Sequence, residues 1–141
     1  LFSSSIVIGI VEELHMADVT VGYSEGRGRG VFAARQFEPE ETIEVCPVIV
    51  LSEADARKLD NTGLYDYYFG WGKDGKGAAI ALGYGSLYNH SFSPNAVHHK
   101  NQATRAISVV AVKAIAPGEE IFIRYITGAG EDPQQMWFEV K

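Results

Sequence analysis

The chain has 141 residues, 46% hydrophobic and 21% charged, with a formal net charge of −6. A chain of this length buries about 70% of its unfolded surface, enough for one domain with its own core, and its composition excludes a largely disordered polypeptide. The acidic balance argues against a nucleic-acid module, whose affinity rests on Lys and Arg neutralising phosphates, and suits a basic protein partner instead.

The single cysteine, Cys46, excludes an intrachain disulfide and a multi-cysteine zinc site. It stands between Val45 and Pro47 in an apolar run and reads as a core residue. Fifteen glycines point to many turns and short strands rather than a helical bundle.

The chain begins with Leu1, and Ile6–Val11 is a short apolar run followed by Glu12 and Glu13. The stretch lacks the basic flank of a signal peptide and is far shorter than the ~20 apolar residues that span a bilayer. Residues 1–17 read as an N-terminal extension: either 1–15 lie upstream of a start at Met16, or they add a strand to a sheet edge.

Val19–Val21 opens a strand, Ser24–Gly30 is a glycine-rich turn, and Val31–Ala33 resumes as a strand. After a turn at Phe37–Glu41 come Thr42–Val45 and the apolar Val48–Leu51. Ser52 is suited to cap a short helix through Leu59, with Glu53 and Asp55 favourably placed in its first turn. Leu64–Trp71 is an aromatic cluster, Lys73–Gly77 a hairpin turn, and Ala78–Leu82 a buried strand or tight passage. Residues 104–111 alternate as a strand. Pro117-Gly118 has the chemistry of a type II turn. Ile121–Tyr125 is a last strand, and a tail with Trp137 and Phe138 follows. The pattern is mainly β, with one or two short helices.

Three segments carry groups for chemistry. Gly26-x-Gly28-x-Gly30 is either a plain hairpin turn or a place where backbone approaches a ligand; Arg27 and Arg29 also allow phosphate or RNA contact. It is not a dinucleotide fingerprint, because strand residues rather than a long helix follow. Asn89–Asn95 is rich in turn-forming, hydrogen-bonding residues, so it reads as a satisfied buried turn with a structural His90 or as a polar site. His90, His98 and His99 lie close in sequence, but no Glu or Cys accompanies them as further ligands, so no metal is expected. Tyr125 offers a positioned phenol, with an ordinary pKa of about 10.

The order of the segments is specific. Gly28–Ala33, Tyr67-x-Phe69, Leu87-Tyr88-Asn89-His90-Ser91-x-x-Pro94-Asn95 and Ile115-x-x-Gly118-Glu119-Glu120-Ile121-x-Ile123-x-Tyr125 together resemble the SET-domain family of protein-lysine methyltransferases. The resemblance covers about residues 18–126 and is nearest in style to the minimal SET proteins of viruses and bacteria, which lack pre-SET and post-SET zinc segments.

The resemblance implies a β-clip fold: several small curved sheets, with a C-terminal pseudoknot that brings Asn89-His90 beside Tyr125. It implies S-adenosylmethionine as cofactor, with S-adenosylhomocysteine as product, and transfer of its methyl group to a lysine amine. Gly28, Arg29, Gly30, Tyr88, Asn89 and His90 fall at cofactor-binding positions. Residues 127–141 would close the pocket, with Trp137 or Phe138 on the adenine. Tyr125 and Tyr67 fall at catalytic positions, and Tyr67, Tyr88, His98 and Ile123 would wall the lysine channel. An aliphatic Ile123 leaves room for di- or trimethylation.

The implied partner is a basic protein or peptide such as a histone tail, with no direct nucleic-acid or membrane contact; a homodimer is compatible. The implied location is intracellular, cytoplasmic or nuclear. Where the family often has Tyr or Asp just after the catalytic tyrosine, this chain has Ile126-Thr127-Gly128. That departure keeps a second reading open, a catalytically weak SET-like module that binds cofactor or a lysine-containing peptide.

Overall fold

A computed structural model describes residues 18–125. Strands β1 (Val19–Ser24) and β2 (Gly28–Ala33) form an antiparallel hairpin, with Ser24 opposite Gly28. The turn between them needs left-handed backbone at Gly26 and Gly28, whose φ angles are 75° and 86°.

A five-stranded sheet runs in the order β4 (Tyr68–Trp71), β5 (Gly77–Ala81), β3 (Thr42–Leu51), β8 (Ala106–Ala111) and β7 (Ala96–Asn101). The sequence suggests two apolar pieces either side of Pro47, yet β3 is continuous. Its first part pairs with β8 up to Pro47, and Val48–Leu51 pairs with β5. Proline is tolerated because it sits where the strand changes partner. Ser52 caps helix α1 (Glu53–Leu59) as expected, its side chain accepting from the Asp55 amide. Short 3₁₀ turns at Tyr65–Tyr67 and Gly85–Leu87 carry residues of the site described below.

Two two-residue strands complete the architecture. β6 (Asn89–His90) runs parallel to β9 (Phe122–Ile123), with Asn89 opposite Phe122 and His90 opposite Ile123. Two ladder positions are a weak tether, and three other interactions hold the segment. Asn95 grips it from both sides, donating from Nδ2 to the Glu120 carbonyl and accepting at Oδ1 from the Phe122 amide, each at 2.8 Å. The backbone before it, Gly118–Ile121, bonds along β2 through Gly118 N–H to Ala33 O, Ala33 N–H to Glu119 O and Ile121 N–H to Val31 O. Ile121 and Ile123 are fully buried with Val31, Phe37 and Ile115, worth about 1.5–3 kcal/mol per side chain.

The fold is mainly β, with small sheets clasped around a C-terminal segment that lies beside Asn89-His90, as the resemblance implies. Among the described residues no helix is long and apolar enough to cross a membrane.

Candidate active site

The clasp gathers four separate segments around one cavity of about 460 Å³, within the range of small-ligand sites. The β1–β2 turn supplies Gly26, Arg27, Gly28 and Arg29; the first 3₁₀ turn supplies Asp66 and Tyr67. Ser86, Leu87, Asn89 and His90 come from the second 3₁₀ turn and β6, and Tyr125 from the end of the described chain.

Tyr125 is fixed at both ends. Its backbone N–H donates to His90 Nδ1 at 2.8 Å, and its hydroxyl donates to the Tyr88 carbonyl at 2.5 Å. A backbone N–H can only donate, so His90 Nδ1 is an acceptor and the neutral ring carries its proton on Nε2. Burial, then the charges of Arg124 and Arg27, hold the His90 pKa below its ordinary value. The His90 ring also meets Phe92 edge-on, with centroids 4.5 Å apart, and lies 5.3 Å from the Tyr125 ring. Burial is the first cause that raises the Tyr125 phenol to about 12, with Tyr67 and Asp66 adding to it.

Asn89 sits at the junction of cavity and clasp. Its Nδ2 donates to the Arg29 carbonyl and to Glu120 Oε1, both at 2.9 Å, and Glu120 Oε2 accepts from Ser24 Oγ at 2.9 Å. Gly30 is buried beneath this network, and a Cβ there would lie 1.9 Å from Glu120 Oε1. The glycine therefore makes room for a carboxylate of its own chain. Gly28 has open space at that position and is required instead by its positive φ.

The structure does not bring every expected site residue to the cavity. Gly28, Arg29, Asn89, His90, Tyr67 and Tyr125 line it. The Tyr88 ring is 1% exposed and turned away: its hydroxyl donates to Glu44 Oε1 at 2.8 Å, and only its backbone carbonyl reaches Tyr125. Strand alternation on β9 directs Ile123 into the core, where it is fully buried. His98 lies on β7 against the Phe69 ring, centroids 5.2 Å apart, outside the cavity lining. Trp137 and residues 126–141 lie outside the described residues.

Cys46 is fully buried, and burial pushes its thiol up to about 12, as befits a core residue. Asp66 and Ser86 line the cavity without having been singled out from sequence. An acidic residue directly before Tyr67 was the available signal for Asp66.

A family model for the SET domain matches residues 28–126. A histone-lysine N-methyltransferase of Schizosaccharomyces pombe, specific for H3 lysine-37, is 32% identical over 117 residues, 82% of this chain and 74% of that protein. Among solved structures, a candidate histone methyltransferase of Plasmodium falciparum superposes with a TM-score of 0.64 at 29% identity, over 85% of this chain and 99% of that one. Polycomb Repressive Complex 2 of Chaetomium thermophilum, in an autoinhibited form bound to S-adenosylmethionine, shares the fold with a TM-score of 0.65 at 21% identity; 82% of this chain matches 16% of the longer one. The chain belongs to the SET domain family.

Proposed function

We propose that this protein is an S-adenosylmethionine-dependent protein-lysine N-methyltransferase whose substrate is a lysine in a basic, histone-like segment. One observation carries the reading. Tyr125 is locked to Tyr88 and His90 within a single cavity that also holds Gly28, Arg29 and Asn89. Membership of the SET family and the likeness to a histone-lysine methyltransferase support it.

The donor set fits a zwitterionic cofactor. Arg27 and Arg29 offer guanidinium groups to a carboxylate, the Asn89 amide offers a polar partner to an ammonium, and the Gly26–Gly28 turn allows close backbone approach. Gly28, Arg29, Asn89 and His90 would hold the cofactor. When bound, it supplies an electrophilic methyl group on a sulfonium centre.

The protein's own part is positioning, which dominates the catalysis of such a displacement. Tyr125 stays protonated across the neutral range, so it orients rather than deprotonates: its hydroxyl oxygen accepts from the amine N–H. Tyr67 lines the same wall. The substrate lysine must first shed a proton, costly at neutral pH for a group of pKa about 10.4, and burial of the amine on entering the cavity would lower that pKa. The net charge of −6 favours approach of a basic substrate.

Calorimetric titration with S-adenosylhomocysteine, together with label transfer from methyl-labelled S-adenosylmethionine to core histones, tests the reading. Binding and lysine labelling are expected. Absence of binding refutes it, and binding without transfer to any basic protein or peptide leaves a non-catalytic module.

A further inference from the structure

Glu120 does not line the main cavity but is hydrogen-bonded to Asn89, which does, and it shares an adjoining hollow with Ser24, Gly26 and Arg27; several contacts hold it there. Its two carboxylate oxygens take one hydrogen bond each, from Ser24 Oγ and Asn89 Nδ2. Gly30 leaves room for it, since a Cβ at that position would overlap Glu120 Oε1. The backbone on either side is pinned to β2 and to Asn95.

The consequence falls on Asn89. A side-chain amide can turn over, exchanging its nitrogen and oxygen, and its orientation is set by its neighbours. Here both neighbours, the Arg29 carbonyl and the Glu120 carboxylate, act as acceptors. The nitrogen must face them, and among the described residues Asn89 Oδ1 accepts no hydrogen bond. An amide so constrained presents an acceptor, not a donor, to the cavity that Asn89 lines.

We propose that Glu120 is a positioning residue which, braced by Ser24, fixes the Asn89 amide with its oxygen toward the cavity so that the site selects the α-ammonium of the cofactor's amino-acid end. The proposal rests on the reading that this cavity takes S-adenosylmethionine. It assigns discrimination for a donor at that point to a residue one step removed from the ligand.

The test compares calorimetric affinities for S-adenosylhomocysteine and for its analogue lacking the α-amino group. The proteins are the wild type, Glu120→Ala, Glu120→Gln and Ser24→Ala, each checked by thermal melting. The wild type is expected to prefer the amino form by about tenfold or more, the scale of a hydrogen bond to a charged group. Glu120→Ala loses most of that preference while its affinity for the deaminated analogue changes little. Glu120→Gln, whose side-chain oxygen still accepts from Asn89, retains it, and Ser24→Ala loses part.

Equal weakening of both ligands in Glu120→Ala, or an unchanged preference, would overturn the proposal. So would a Gln variant as indiscriminate as the Ala variant, because the ammonium would then be read by charge alone. If Glu120→Ala fails to fold, Ser24→Ala and Glu120→Gln decide: an unaltered preference in the first, or a lost one in the second, overturns it. A wild type that binds neither ligand refutes the cofactor reading itself, a result distinct from all of these.

Discussion

The hydroxyl of Tyr125 donates to the backbone carbonyl of Tyr88, 37 positions earlier in the chain. The same two segments are joined again by the Tyr125 amide on His90 Nδ1. Removing the hydroxyl takes away the orienting group while leaving the ring in place and the His90 bond intact. Tyr125→Phe is therefore expected to melt within a few degrees of the wild type yet lose about 10²-fold or more in kcat. Steady-state kinetics beside a melting curve checks both halves.

Gly30 is constrained by a collision rather than by backbone conformation. Gly30→Ala must displace the Glu120 carboxylate and with it the Asn89 bond. A loss of about 1–3 kcal/mol in stability is expected from overpacking, along with weaker S-adenosylhomocysteine binding. Gly28→Ala meets no atom within 4 Å and suffers only from its positive φ, about 1–2 kcal/mol. Urea denaturation of the two variants checks both losses.

Glu44 anchors the segment that enters the site. Its carboxylate accepts from the Tyr88 hydroxyl at 2.8 Å and from the Tyr84 amide at 3.0 Å. Glu44→Ala strands a hydroxyl on a side chain that is 1% exposed, which costs about 1–3 kcal/mol. Adding Tyr88→Phe removes that stranded group, so the double variant is expected to recover part of the loss. Chemical denaturation of the single and double variants decides it.

Acid should weaken the fold partly through His98. Burial first, then the charges of Lys100 and His99, lower its pKa to about 4, against about 6.5 when unfolded. Between those values the unfolded chain binds more protons. The stabilising contribution is therefore complete above about pH 6.5 and is lost as the pH falls toward 4. His98→Phe, which keeps a ring against Phe69, should show a smaller fall in urea midpoint between neutral and acid conditions than the wild type. An equal fall in both proteins would assign the whole effect to carboxylates.

Much of the fold was legible where local chemistry decides it. The Ser52 cap, the alternation of Ala106–Ala111 and the glycine hairpin all lie where the sequence places them. Strand β7 was not legible, because Val97-His98-His99-Lys100 has no clean alternation and is held by its pairing with β8. Nor does β9 have the length of an ordinary strand; Asn95 and two buried isoleucines hold it.

In the site, the order of the motifs, not residue type alone, singled out Tyr125, Asn89 and His90, which line one cavity, but side-chain direction stayed hidden. Glu44 draws the Tyr88 ring away from the cavity, and alternation turns Ile123 inward. Glu120 was visible only as part of a motif, since its role depends on Ser24, 96 positions away.

The most direct measurement is mass spectrometry of a lysine-containing histone peptide after incubation with S-adenosylmethionine and either the wild type or Tyr125→Phe. Methyl groups on the lysine amine are expected with the wild type, and about 10²-fold slower transfer with the variant. Cofactor binding by both proteins with no methyl on any lysine, or equal transfer by both, would contradict the proposed function.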